Sequence, residues 1–136
     1  MIRPTWTGFH HLSLNVHDIR KSEQWYRDVL DFSPLSAYRT ETFERVILRH
    51  DSGAMVGLSR HTAPEADEEF NERRTGLDHL ALQVADRDSL EAWALRFDEV
   101  GVEHSGVKPG AVPGAALLAF RDPNNIQLEL FSAPPA

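Results

Sequence analysis

The chain has 136 residues, a formal net charge of −7 and no cysteine, which predicts one globular domain and excludes disulfides, thiolate metal sites and a cysteine nucleophile. The acidic balance argues against nucleic acid as a partner, because phosphate binding needs a basic face. No apolar run is long enough to span a bilayer and the first residues lack a secretory signal, so we expect no membrane association and a cytoplasmic protein.

The first half of the chain predicts a βαβββ unit. Residues 9–16 alternate apolar and polar side chains, which is typical of a half-buried strand. Asp18 occupies a helix N-cap position, residues 19–30 carry apolar side chains at helical spacing, and Asp31 stands where the helix ends. Three short strands follow at 35–39, 43–50 and 54–60, and the charged residues 61–75 predict an exposed connector, with at most one helical turn.

The second half predicts the same order of elements. Residues 78–84 predict a strand, and a helix capped by Asp86 or Asp88 runs to Val100, with Gly101 at its end. Residues 102–107 are a poor strand candidate. Strands are predicted at 115–120 and 126–131, and residues 121–125 predict the tight turn between them.

An internal repeat explains this second occurrence of the plan. The segment GFHHLSLNV at residues 8–16 returns as GLDHLALQV at residues 76–84, and the alignment of 8–25 with 76–93 holds eight identities in 18 columns. We therefore predict two copies of one small module: module one at 8–60, the connector at 61–75 and module two at 76–131, within a single domain 1–136. The fold class is α+β, with two βαβββ modules forming a cupped mixed sheet and the helices outside.

Alternation along the strands separates core side chains from a polar face. The leucines of the first, fifth and last strands should meet the helices. The opposite face then carries His11, Ser13 and Asn15 in the first strand, His79, Ala81 and Gln83 in the fifth, and Gln127, Glu129 and Phe131 in the last. Two imidazoles and one carboxylate on an enclosed face are a sufficient ligand set for one divalent metal ion, Zn, Ni, Mn or Fe, with positions left open for substrate.

The sequence resembles the vicinal oxygen chelate superfamily, which includes glyoxalase I, bleomycin-resistance proteins, fosfomycin-modifying enzymes, methylmalonyl-CoA epimerase and extradiol dioxygenases. The resemblance covers nearly the whole chain. Its most specific segments are HLSLNVHD at 11–18, WYRDVLDF at 25–32, GLDHLALQV at 76–84 and FRDPNNIQLEL at 120–130. It implies the paired βαβββ fold and a metal ion held in the cupped sheet.

The resemblance also implies which residues bind the metal. The family's first-strand ligand falls on His11, its fifth-strand ligand on His79 and its last-strand carboxylate on Glu129. Its fourth ligand position falls on Gly57, which cannot ligate. Glyoxalase I and methylmalonyl-CoA epimerase use a Glu or Gln at that position, whereas the fosfomycin enzymes and extradiol dioxygenases use the set of three ligands.

Two functions follow as hypotheses. The first is a divalent-metal-dependent enzyme that chelates adjacent oxygens of a small substrate, in lyase, isomerase or dioxygenase chemistry. Ser13, Asn15, Gln83 and Gln127 would position the substrate; the general base is unassigned, with Tyr26 and His61 as weak candidates. The second is a metal-free protein that sequesters a small molecule, as bleomycin-binding members do. In either case we expect a homodimer.

Overall fold

The computed structural model describes residues 2–136 and divides into two compact units, one extending to Glu68 and the other from Glu69 to Ala136. The first unit contains β1 (Leu12–Asn15), α1 (Ile19–Leu30), β2 (Ser33–Arg39), β3 (Phe43–Arg49), β4 (Met55–His61) and a 3₁₀ helix (Pro64–Asp67). The second contains β5 (Leu80–Gln83), α2 (Arg87–Val100), β6 (His104–Pro109), β7 (Ala116–Arg121) and β8 (Gln127–Ser132). The repeated βαβββ order is confirmed.

Each unit has one four-stranded mixed sheet with the same topology. The strand order is β1-β4-β3-β2 in the first unit and β5-β8-β7-β6 in the second. The first strand of each unit pairs in parallel with the last, and the other pairs are antiparallel. A parallel pair needs a long crossover connection, which the helix and the two intervening strands supply.

Both helices begin and end at the residues that the capping pattern indicates. The carboxylate of Asp18 accepts a hydrogen bond from the Lys21 backbone N–H, and that of Asp86 accepts one from the Ser89 backbone N–H. Asp86, not Asp88, is therefore the cap of α2. Asp31 and Gly101 end the helices in the left-handed conformation, with φ of 62° and 75°.

One face of each sheet packs under its helix and forms the core of that unit. Helix α1 contacts β3 and β4, and α2 contacts β6, β7 and β8. In the second unit the rings of Phe97 on α2 and Phe120 on β7 lie 4.6 Å apart, and both side chains are buried. Leu128 and Leu130 are also buried, so the leucines of the last strand face the helix as predicted.

Strand β6 corrects the sequence prediction for residues 102–107. The strand spans His104–Pro109 and pairs with β7, with a register shift between His104 and Val107. Gly106 adopts φ of +72° at this irregularity, which a glycine accommodates without strain. Pairing with a neighbouring strand thus stabilises a segment whose own side chains show no alternation.

No helix within residues 2–136 is long and apolar enough to cross a membrane.

Candidate functional site

His79 lies just before β5 and is held by an acidic neighbour. Its Nδ1 is 2.7 Å from Oδ1 of Asp78, and the Nε2 amide of Gln127 donates to both Oδ1 and the backbone oxygen of Asp78 at 3.2 Å. The Asp78 carboxylate can only accept, so Nδ1 of His79 carries the proton of this hydrogen bond. In the neutral imidazole, the lone pair is then on Nε2, the atom that faces Glu129.

Glu129 is the partner of His79 on the same face of the second sheet. Oε2 of Glu129 is 3.5 Å from Nε2 of His79, and the Glu129 side chain is only 16% exposed. This separation fits a shared metal ion, because nitrogen and oxygen ligands at zinc-like bond lengths and a tetrahedral angle lie ~3.4 Å apart. Asp78 supplies the second hydrogen bond that metal-binding histidines commonly make. The geometry of His79 and Glu129 therefore fits two of the three predicted ligands of a divalent metal ion.

His11 belongs to the first unit and has a different neighbour. Its Nδ1 is 2.8 Å from Nδ1 of His10, so one of the two rings donates to the other. Both side chains are exposed. Over residues 2–136, neither unit taken alone brings together three His, Cys, Asp or Glu side chains that could hold a metal ion. The second unit supplies two of the three predicted ligands, and His11 stays a predicted ligand.

Gly57 and Glu129 occupy equivalent places in the two sheets. Gly57 pairs with Ser13 across β1 and β4, as Glu129 pairs with Ala81 across β5 and β8. A Cβ at position 57 would lie 2.6 Å from Oγ of Ser13. The serine hydroxyl therefore occupies the space that a side chain on Gly57 would need.

The four predicted substrate-binding residues differ in their surroundings. Ser13, Asn15 and Gln83 are exposed on β1 and β5. Gln127 is half-buried, and its amide nitrogen is engaged by Asp78. These positions stay predictions for substrate contact, and Gln127 has the additional role of holding Asp78.

The two candidates for the general base lie on opposite faces of the first sheet. Tyr26 is 1% exposed and lies in the core of the first unit, with its ring 6.1 Å from that of Phe32. It is on the helix side of the sheet and out of reach of a substrate on the other side. His61 shares the polar face with Gly57, because both alternate with core residues on β4, and its ring packs 5.5 Å from that of Phe43.

Arg45 lies on the polar face of the first sheet and is not among the residues that the sequence predicts for the site. Its Nε donates to Oγ of Ser59 and its Nη1 to the hydroxyl of Tyr38, both at 2.7 Å. The guanidinium carbon lies 4.5 Å from the centre of the Phe43 ring. The alternation of strand 43–50 contains the signal that could have placed Arg45 on this face.

Two arginines tie the connector to the units on either side. Arg60 donates to the Ala66 backbone oxygen and to Asp67, both at 2.8 Å. Arg121 binds both carboxylate oxygens of Glu72 at 2.8 and 3.2 Å. These hydrogen bonds from Arg121 lower the pKa of Glu72 to about 2 and raise the pKa of Arg121.

The fold and the His79–Glu129 pair define a class of small α+β proteins built from paired βαβββ units, and the comparisons name the family. A model of the Glyoxalase/Bleomycin resistance protein/Dioxygenase superfamily matches residues 8–130, and the chain belongs to that superfamily. A glyoxylase/bleomycin resistance protein/dioxygenase domain from Frankia sp. EAN1pec is 30% identical, with a TM-score of 0.87 and coverage of 97% of this chain and 96% of that one.

Two further relatives carry functional names. The chain is 28% identical over 127 residues to "Putative ring-cleaving dioxygenase MhqA" of Bacillus subtilis (strain 168), covering 90% of this chain and 39% of MhqA. The fosfomycin resistance protein FosX of Listeria monocytogenes, in a structure with Mn(II) and sulfate, is 16% identical with a TM-score of 0.70, covering 95% of this chain and 92% of FosX. The likeness to FosX is one of fold.

Proposed function

We propose that the protein is a divalent-metal-dependent enzyme acting on a small molecule, with His11, His79 and Glu129 as the metal ligands. The observation that carries this proposal is the geometry of the second unit: Nε2 of His79 faces Oε2 of Glu129 at 3.5 Å while Asp78 holds Nδ1. The name of the Bacillus subtilis relative, "Putative ring-cleaving dioxygenase MhqA", adds support.

The side chains of this chain would divide the work of binding and orientation. Asp78 and Gln127 fix the His79 ring, and Glu129 provides a carboxylate oxygen. Ser13, Asn15 and Gln83 offer hydroxyl and amide groups for substrate oxygens. A divalent metal at His11, His79 and Glu129 would supply Lewis acidity toward two adjacent oxygens of the substrate.

The glycine at position 57 narrows the chemistry that these residues can perform. With Ser13 filling the space above Gly57, the fourth ligand position carries no carboxylate for proton transfer. Dioxygenase or group-transfer chemistry, which the three-ligand relatives perform, therefore fits better than the proton shuttling of glyoxalase I. The homodimeric state, the cytoplasmic location and the lack of a nucleic-acid partner stay predictions from the sequence.

Elemental analysis tests the proposal. Untagged protein purified without a chelating column should hold about one equivalent of Mn, Fe, Ni or Zn per chain, and His79→Ala and Glu129→Ala should lose it. His50→Ala is the matched control, because His50 hydrogen-bonds Ser52 at the end of β3 and shares no contact with the site. Protein that binds none of these metals on addition would overturn the proposal and leave a metal-free binding protein.

A further inference from the structure

Arg45 is one member of a row of side chains that crosses the whole first sheet. Tyr38 pairs with Arg45, Arg45 with Ser59, and Ser59 with Asn15, so the row runs through β2, β3, β4 and β1 on one face. Asn15 is a predicted substrate-binding residue, Ser13 alternates onto the same face of β1, and His11 lies immediately before that strand. The guanidinium therefore shares its face with the residues assigned to substrate.

The position of the guanidinium is fixed by its neighbours. Ser59 is fully buried, and its hydroxyl accepts from Nε of Arg45, while Tyr38 accepts from Nη1 and the Phe43 ring lies beneath. These contacts use two of the five N–H donors of an arginine. The Nη2 group has no partner in the first unit, and it is the part of the guanidinium fork that binds a carboxylate edge-on.

No carboxylate within residues 2–68 forms an ion pair with Arg45, although the chain carries 21 acidic and 14 basic residues. Its strand neighbour Glu44 points to the other face and pairs with Arg39 at 3.4 Å. Other arginines in this unit have acidic partners, such as Arg60 with Asp67. A half-buried arginine that is held in place but left without a counter-charge is prepared for an external anion.

The absence of a side chain at Gly57 leaves the charge of the Arg45 guanidinium without a carboxylate beside it. Ile47 is the direct partner of Gly57 and Arg45 the partner of Ser59, which makes Arg45 and Gly57 diagonal neighbours about 7–8 Å apart between Cα atoms. A glutamate at position 57 would lie within reach of the guanidinium and could neutralise it. In the second unit the carboxylate of Glu129 is present and the arginine is absent. The row equivalent to Arg45 and Ser59 contains Leu117 and Phe131.

We propose that Arg45 binds a carboxylate of the substrate, so that the substrate carries a carboxylate in addition to the adjacent oxygens that a metal would chelate. This inference rests on the proposed function in that it takes the face of His11, Ser13 and Asn15 as the substrate-binding face. The carboxylate would bind the Nη2 edge of Arg45. Ser59, Tyr38 and Phe43 position the guanidinium and need not touch the substrate.

Isothermal titration with matched probes tests the inference. Catechol and 3,4-dihydroxybenzoate offer the same adjacent oxygens and differ by one carboxylate. Mn²⁺-loaded wild type should bind 3,4-dihydroxybenzoate about tenfold more tightly than catechol. Arg45→Gln should remove this preference while leaving the catechol affinity unchanged, and Arg45→Lys should restore part of it. Thermal unfolding of each variant verifies that it is folded.

Arg49→Gln is the matched control, because Arg49 is an exposed arginine on the same strand and face and loses the same charge. Equal losses in Arg45→Gln and Arg49→Gln, or a retained preference in Arg45→Gln, would overturn the inference. Benzoate, which cannot chelate, is titrated into metal-free protein as a separate measurement. Benzoate binding that depends on Arg45 in a protein unable to bind metal would uphold the carboxylate site and overturn the metal-dependent function alone.

Discussion

Ser13 and Gly57 face each other across the parallel strands β1 and β4, and the serine Oγ lies 2.6 Å from where a Cβ on Gly57 would be. The equivalent pair in the other unit is Ala81 and Glu129. One sheet thus combines a serine with a glycine, and the other combines an alanine with a glutamate. In each pair only one residue, Ser13 or Glu129, has a side chain that extends beyond Cβ.

Gly57→Ala should destabilise the protein by about 1 kcal/mol, since the added methyl group forces the Ser13 hydroxyl out of its place. Ser13→Ala/Gly57→Ala should recover most of that loss, because the alanine at position 13 removes the clashing atom. Urea unfolding of the two variants, with Ser13→Ala as the control, measures both effects. A double variant no more stable than Gly57→Ala would show that the contact with Ser13 is not the cause.

Asp78→Ala should weaken binding of Mn²⁺ about tenfold, because His79 loses the hydrogen bond that orients its ring. The measurement is metal affinity by competition with a chelating dye, together with nitrogen NMR shifts of His79, which report which ring nitrogen carries the proton. Asp28→Asn on helix α1 is the control for lost negative charge, since Asp28 is exposed and its carboxylate accepts a hydrogen bond from Gln24. Unchanged affinity and an unchanged tautomer in Asp78→Ala would contradict the role assigned to Asp78.

Glu72→Gln should reduce the melting temperature at neutral pH and have little effect near pH 2. The pKa of Glu72 is lowered from 4.5 to about 2 by Arg121, so the folded state holds the proton less tightly than the unfolded state. A carboxyl group with a lowered pKa stabilises the fold above its unfolded pKa, and that contribution disappears as the pH falls from about 4.5 to about 2.

Thermal unfolding of wild type and Glu72→Gln across this pH range measures the difference. Glu65→Gln, an exposed glutamate of the 3₁₀ helix, is the control and should show little effect at any pH. A difference between wild type and Glu72→Gln that stays constant down to pH 2 would rule out the Glu72–Arg121 pair as its source.

Phe97→Ala should cost about 3–5 kcal/mol of unfolding free energy. The Phe97 side chain is fully buried and its ring packs 4.6 Å from that of Phe120, so the substitution leaves a cavity between α2 and its sheet. Leu95→Ala on the same helix is the control, because Leu95 is 67% exposed. Equal losses in the two variants would place the core of this unit elsewhere.

Most of the fold could be predicted from the internal repeat and from the residues that cap the two helices. His11 and His79 share one column of the alignment, Asp18 and Asp86 share another, and the structure places each pair at equivalent points of the two units. Strand β6 could not be predicted because its residues show no alternation and its pairing depends on β7. The role of Gln127 was also hidden, since its partner Asp78 is distant in sequence.

Arg45 was missed for a different physical reason. A charged residue in a strand is ordinarily solvated or paired, and the lack of an acidic partner is visible only once Glu44 is seen to bind Arg39 on the other face. The buried hydroxyl of Ser59, which holds the guanidinium, is likewise a property of the sheet register.

The connector is held by two separate groups of hydrogen bonds, one in each unit. His17 and Arg60 bind Glu68, Ala66 and Asp67 in the first unit, whereas Arg121 and Asn125 bind Glu72 and Phe70 in the second. These hydrogen bonds therefore stay within one unit each, on either side of the bond between Glu68 and Glu69. The connector therefore behaves as two short segments, each held by the unit that it follows or precedes, and a substitution in one segment should leave the hydrogen bonds of the other in place.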